Sequence, residues 1–287
     1  MGHMLMALVK LDFNATRLAH VRWEMALELL VRGEGTAGSL HGHEDCDLGK
    51  WIYGTGLKSY GKHDSIWHLK TAHKKFHAAA DDTLSALAAH DLAGVERSIS
   101  LVRKLSGEIL FQLTSLELDI IRNALEKNQE DNTKSRLWRF LAQKVSQSSF
   151  SVASLDNSSH ATLNVTGVRL AHLQWIRDLQ TAFRGHSKKI KAQPSEECSL
   201  GVWIHNKAMK ELGTTETLKT LDTIHKRFHH EIDRVLVSLA QRKDDRADES
   251  YESALDLSRE IITELTKLQI QHSDADFFAP LCHSHSH

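Results

Sequence analysis

Proline and aromatic residues are both scarce. Two prolines in 287 residues leave little to interrupt helices, and an aromatic share of 6% is low for a sheet protein, because strands favour aromatic and β-branched side chains. Neither sign of charge prevails: the formal net charge is −1, which speaks against a nucleic acid or an anionic membrane as partner. Long apolar runs are missing as well, and none approaches the roughly 18 residues that cross a bilayer. The three cysteines, Cys46, Cys198 and Cys282, are too few and too scattered for a disulfide framework. The opening Met1-Gly2-His3-Met4 reads as an expression remnant and is set aside, and no basic-then-apolar export signal follows it. The expected compartment is therefore cytoplasmic, where thiols stay reduced.

Leu, Ala, Glu, Lys and Gln fill the long stretches, a helical composition. The unusual count is 20 histidines. The chain also contains itself twice. Leu18-Ala19-His20-Val21-Arg22-Trp23 recurs as Leu170-Ala171-His172-Leu173-Gln174-Trp175, and Cys46-Asp47-Leu48-Gly49-Lys50-Trp51-Ile52 as Cys198-Ser199-Leu200-Gly201-Val202-Trp203-Ile204. His73-Lys74-Lys75-Phe76-His77 recurs as His225-Lys226-Arg227-Phe228-His229. The offset is 152 residues at every point, without a gap, and Gly33/Gly185 and Asp81/Asp233 keep the register. This period exceeds any solenoid unit, so whole domains are duplicated.

Apolar residues at spacings of three and four predict a helix from Leu5 to Val31, a loop from Gly33 to Asp45, and a short helix from Leu48 to Thr55. Longer helices follow over Ser65–Ala89 and Leu92–Leu125. The second copy gives Ser159–Arg184, Leu200–Glu211, Thr215–Ala240 and Glu249–Gln271. The fold expected is all-α, with two tandem antiparallel four-helix-bundle-like domains at residues 5–126 and 157–273. A partly helical connector at 127–156 joins them, and a disordered His-rich tail at 274–287 follows.

His73 and His77, like His225 and His229, are four residues apart and share one helix face. Alone, such a pair is weak evidence in a His-rich chain. His20 and His172 alone would read as satisfied core histidines, and Cys46 and Cys198 as small buried hydrophobes. One thiol and three imidazoles that recur at a fixed offset, while their surroundings drift, outweigh those readings. Such a set suits Zn²⁺ in tetrahedral coordination, two ions per chain. Trp23, Trp51, Trp175 and Trp203 are expected to cover the sites. Asp81 and Asp233 divide evenly between a hydrogen bond to a ligating imidazole and a solvated charge.

A first-helix His-x-x-Trp, then Cys-x-Leu-Gly-x-Trp, then His-x-x-Phe-His resembles the chemoreceptor zinc-binding domain family, CZB, in both copies. The resemblance implies a four-helix bundle with a three-His, one-Cys zinc centre. Its ligands would be His20, Cys46, His73 and His77 in one copy, and His172, Cys198, His225 and His229 in the other. Such domains serve as inputs to bacterial chemoreceptors and diguanylate cyclases, and in some of them the zinc-bound cysteine senses oxidants. The family's tendency to pair suggests that the two copies pair within the chain as a pseudo-dimer. Neither a diguanylate cyclase signature nor a receptor signalling hairpin is evident.

The expected function is thus a non-enzymatic zinc-binding module of signal transduction, including chemotaxis, that responds to zinc or oxidant. Its partners are zinc and a signalling protein, or a second copy of itself. Four protein ligands would leave no open position for a catalytic water. A scaffold with structural zinc and a zinc buffer or carrier are the alternatives. The terminal Cys282-His283-Ser284-His285-Ser286-His287 gives the buffer reading some chemical basis. A di-iron enzyme is disfavoured, because neither His pair has a Glu three residues before it.

Overall fold

The computed structural model describes residues 11–34, 42–130, 165–183 and 193–273. All regular structure among them is helical. The first copy holds α1 (Phe13–Val31), α2 (Asp47–Trp51), α3 (Leu57–Tyr60), α4 (Asp64–Ala88) and α5 (Leu92–Glu130). The second holds α6 (Val165–Phe183), α7 (Ser199–Trp203), α8 (Met209–Leu212), α9 (Glu216–Ala240) and α10 (Asp244–Ser273). The chain divides into two compact units, Met1–Asp119 and Ile120–His287.

Residues 5–10 of the predicted first helix lie outside the described residues; helix α1 starts at Phe13, where Asp12 is extended and its carboxylate accepts from the Ala15 backbone N–H at 2.9 Å. That bond satisfies one of the donors a helix start leaves open. Gly33 ends the helix at φ +79, and Glu34 N–H reaches back to the Leu29 carbonyl, a left-handed stop that suits glycine. Helices α4 and α9 stop the same way on non-glycine residues, His90 (φ 54) and Arg242 (φ 53), which occupy one register of the repeat. Helix α10 begins at Asp244, earlier than the predicted Glu249. The periodicity there is obscured by the polar run Asp244-Asp245-Arg246, although Ala247 behind it is buried.

The predicted short helices are longer and not uniform. Each is an α turn that widens into a π turn, over Ile52–Gly56 and over Ile204–Ala208, before α3 and α8 resume. Ile52 and Ile204 are fully buried on this segment. In the first unit, Val21, Ile66, Leu69, Phe76, Val102, Ile109 and Leu113 form the interior. In the second, Val168, Ile176, Ile204, Leu221, Phe228, Ala254 and Ile261 form one continuous core. There α9 packs along α10, α10 against α6, and α6 against α7.

Each core also takes in one arginine from its first helix. Arg17 and Arg169 have no exposed surface. Arg17 pairs with Glu117, whereas Arg169 donates to the Gln269 carbonyl oxygen at 3.0 Å. The two partners stand at the same repeat position, so the duplication extends into the last long helix of each copy. Residues 127–130 of the predicted connector continue α5, while its residues 131–156 and the tail 274–287, including Cys282, lie outside the described residues. No helix among those described is long and apolar enough to cross a membrane.

Candidate metal centre

Helical spacing places His73 and His77 on consecutive turns of α4, with their Nε2 atoms 3.2 Å apart. Cys46 enters from a different element. It is extended and caps α2, where its sulfur accepts from the Gly49 N–H at 3.3 Å. Its Sγ lies 3.2 Å from His73 Nε2. The second copy repeats the set: Cys198 Sγ is 3.1 Å from His225 Nε2, which is 3.1 Å from His229 Nε2. In each copy the three donor atoms all lie within 4.8 Å of one another.

Gly49 and Gly201 make this approach possible. A Cβ on Gly49 would meet the His43 carbonyl oxygen at 2.0 Å, and one on Gly201 the Ser195 carbonyl oxygen at 1.8 Å. The loop before each cysteine therefore lies directly on the backbone of the helix that follows it. Phe76 and Phe228, both 1% exposed, fix the helix face beside the histidines. Trp23 closes over them, with ring centroids 5.1 Å from Phe76 and 5.8 Å from His77. Trp175 does the same over Phe228 and His229 at 5.7 and 6.1 Å. These two tryptophans cover the sites as expected. Trp51 instead meets Phe13 edge-on, and Trp203 is buried in the core. Asp81 and Asp233 are exposed.

Burial, with His77, His20 and His43 nearby, pushes His73 down to about 3. Burial, then His229, does the same to His225, also to about 3. These imidazoles are neutral at pH 7, so their lone pairs are available to a metal. Burial raises both thiols, an effect the Gly49 and Gly201 N–H groups oppose. Nδ1 of His73 and of His225 is buried and has no hydrogen-bond partner among the described residues.

The donor set fits zinc. Bond lengths of about 2.0–2.1 Å to nitrogen and about 2.3 Å to sulfur put tetrahedral ligand atoms roughly 3.4–3.6 Å apart. The distances of 3.1–3.2 Å within each group are close to such edges. Soft sulfur beside two imidazoles is a donor set that Zn²⁺ accepts.

His20 and His172 do not enter the three-donor groups. His20 Nε2 is 3.1 Å from Ser106 Oγ, and His172 Nε2 is 3.0 Å from Ser258 Oγ. Their rings lie against Phe76 and Phe228, at 4.6 and 5.0 Å. Burial, then His77, pushes His20 down to about 3, and burial, then His225 and His229, pushes His172 to about 3. Each is thus a neighbour of the donors, held by a serine from the last long helix of its copy. Sequence reasoning missed Ser106 and Ser258. The signal available for them was their own match at the repeat offset.

Compared with known families, residues 20–84 and 172–236 each match the chemoreceptor zinc-binding domain. The matched stretches begin on His20 and His172 themselves. No curated protein and no solved structure matches the chain.

Proposed function

Because the chain carries two chemoreceptor zinc-binding domains in tandem, we propose that it is a non-catalytic sensory module that responds to zinc or to oxidant. The observation that carries this reading is the Cys–His–His donor group, built twice from different surroundings with the same distances. His20 and His172 are the proposed fourth ligands, and the site then accommodates one Zn²⁺ per copy. When bound, zinc would hold the thiolate and imidazoles together and lower the thiol's proton affinity. With four protein donors, no position remains for a reacting water, which argues against hydrolysis.

The chain's own residues supply the response. Cys46 belongs to the loop that lies on Gly49, and His73 and His77 belong to a long helix. Losing the thiolate by oxidation, or losing the metal, uncouples the loop from the helix. A signalling output protein, or pairing of the two copies, would read that change. The proposed compartment is the cytoplasm.

The test is a zinc titration of metal-stripped protein, followed by elemental analysis, circular dichroism and size-exclusion chromatography. Uptake of about two zincs with a reversible change in packing or assembly supports sensing. A chain that unfolds without zinc and regains only its fold with it would overturn sensing in favour of structural zinc.

A further inference from the structure

The two copies differ beneath the histidine proposed as the fourth ligand. Ser106 has no exposed surface, and its hydroxyl donates to Glu24 Oε2. Glu24 is itself 6% exposed, one turn along α1 from His20. The equivalent position in the second copy is Ile176, an apolar residue in the core. Ser258 keeps its place at 3.0 Å from His172 Nε2.

We infer that Glu24 is a positioning residue that, through Ser106, fixes His20 with its proton on Nε2 and its lone pair on Nδ1, making the two metal centres unequal. A hydroxyl has one proton to give. Since Ser106 spends it on the Glu24 carboxylate, its oxygen can only accept from His20 Nε2. The neutral ring then carries its lone pair on Nδ1, the nitrogen that can ligate without breaking the serine bond. The ring orientation and tautomer of a ligating histidine are set by the group on its other nitrogen. In the second copy Ile176 offers no acceptor, so the Ser258 hydroxyl can either donate to His172 Nε2 or accept from it. His172 therefore divides between two tautomers, only one of which leaves Nδ1 open. His73 and His77 present Nε2 to the donor group, so the first centre would join one Nδ1 with two Nε2 ligands.

This inference rests on the fourth-ligand reading of His20. The test uses the full chain, with Zn²⁺ as the probe. Long-range ¹H–¹⁵N NMR of the imidazoles, assigned with His20→Asn, is expected to show one tautomer for His20 with Nε2 protonated, before and after zinc. His172 is expected to be averaged before zinc. In a Cys198→Ala, His225→Ala background that isolates the first centre, Glu24→Ile should weaken zinc by roughly 10–100-fold in a chelator competition. Glu24→Gln, whose carbonyl still accepts from Ser106, should stay within a few-fold and keep the tautomer. Protonated Nδ1 on His20, or Glu24→Ile with tautomer and affinity unchanged, would overturn the inference. Full zinc affinity in His20→Asn would instead overturn the fourth-ligand reading. In that case the tautomer of metal-free His20 still decides whether Glu24 acts through Ser106.

Discussion

His73 and His77 bring their Nε2 atoms to 3.2 Å across one turn of a single helix, and the same His73 Nε2 lies 3.2 Å from Cys46 Sγ. His73 is thus the central donor, the one in contact with both others, and His225 has that place in the second copy. His73→Ala and His225→Ala should each cost one zinc per chain and leave the other copy loaded. The paired Cys46→Ala, Cys198→Ala variant should weaken both centres by more than the roughly 10–100-fold of an outer partner. Retention of two tightly held zincs by that variant would remove the cysteines from the ligand set.

Proton release on zinc binding should be small. His20, His73, His172 and His225 are held at about 3, so near pH 7 these four have no proton to lose. Both thiols are raised and do have one. Calorimetry in buffers of different ionisation enthalpy should give about one proton per zinc at pH 7. Release of three would mean that the imidazoles are charged in the metal-free protein.

The metal-free chain should lose stability in mild acid. The same four histidines are charged in the unfolded chain below about 6.5 but stay neutral in the fold until about 3. Between those values the unfolded state binds more protons, so stability is full above 6.5 and declines as pH falls toward 3. The slope is at most about 1.4 kcal/mol per pH unit for each histidine. Urea denaturation at pH 7.5 and 5.5 measures it, and equal midpoints at the two pH values would contradict the burial of neutral rings.

Gly49→Ala and Gly201→Ala should each damage one centre only. The new Cβ would lie 2.0 or 1.8 Å from a carbonyl oxygen of the loop before the cysteine, and backbone cannot yield as a flexible side chain would. Overpacking of this kind costs about 1–3 kcal/mol. Zinc content of the two variants, compared with melting temperature, distinguishes a displaced cysteine loop from general unfolding.

The buried arginines give a matched pair of tests. Glu117→Gln copies the second copy's Gln269, a neutral acceptor for one nitrogen of the buried Arg169, and should cost little. Glu117→Ala leaves a guanidinium that has no exposed surface without this partner, a loss on the order of 3–5 kcal/mol. Chemical denaturation ranks the two, and equal losses would show that Glu117 contributes through shape alone.

The long helices were legible because their apolar stripes run for many turns, and the His–His pairs because spacing within one helix fixes their geometry. The repeat made Cys46 and Cys198 legible, since no local pattern marks a lone cysteine as a ligand. Other features were hidden by distance along the chain. Ser106 meets His20 across 86 residues, and a serine on an amphipathic helix carries no sign of its partner. The burial of Arg17 and Arg169 left no sign in the sequence, because their acceptors arrive from a helix 100 residues away. The start of α10 shifted from Glu249 to Asp244 because a polar first turn hid the period.

The π turns have a consequence for how this segment tolerates change in length. Ile-Tyr-Gly-Thr-Gly and Ile-His-Asn-Lys-Ala share only their isoleucine, yet both widen at the same register. The surrounding packing, and not a residue type, therefore imposes the extra residue in the turn. An α-helix rotates by about 100° per residue, so the widened turn acts as a phase correction between the cysteine-bearing start of the segment and its far end. Deleting one residue after Ile52 in this turn would leave a continuous α-helix and still rotate Leu48, Gly49 and Ile52 relative to Gly56 at its far end. The length of this segment is thus under geometric constraint even where its residues are free to vary.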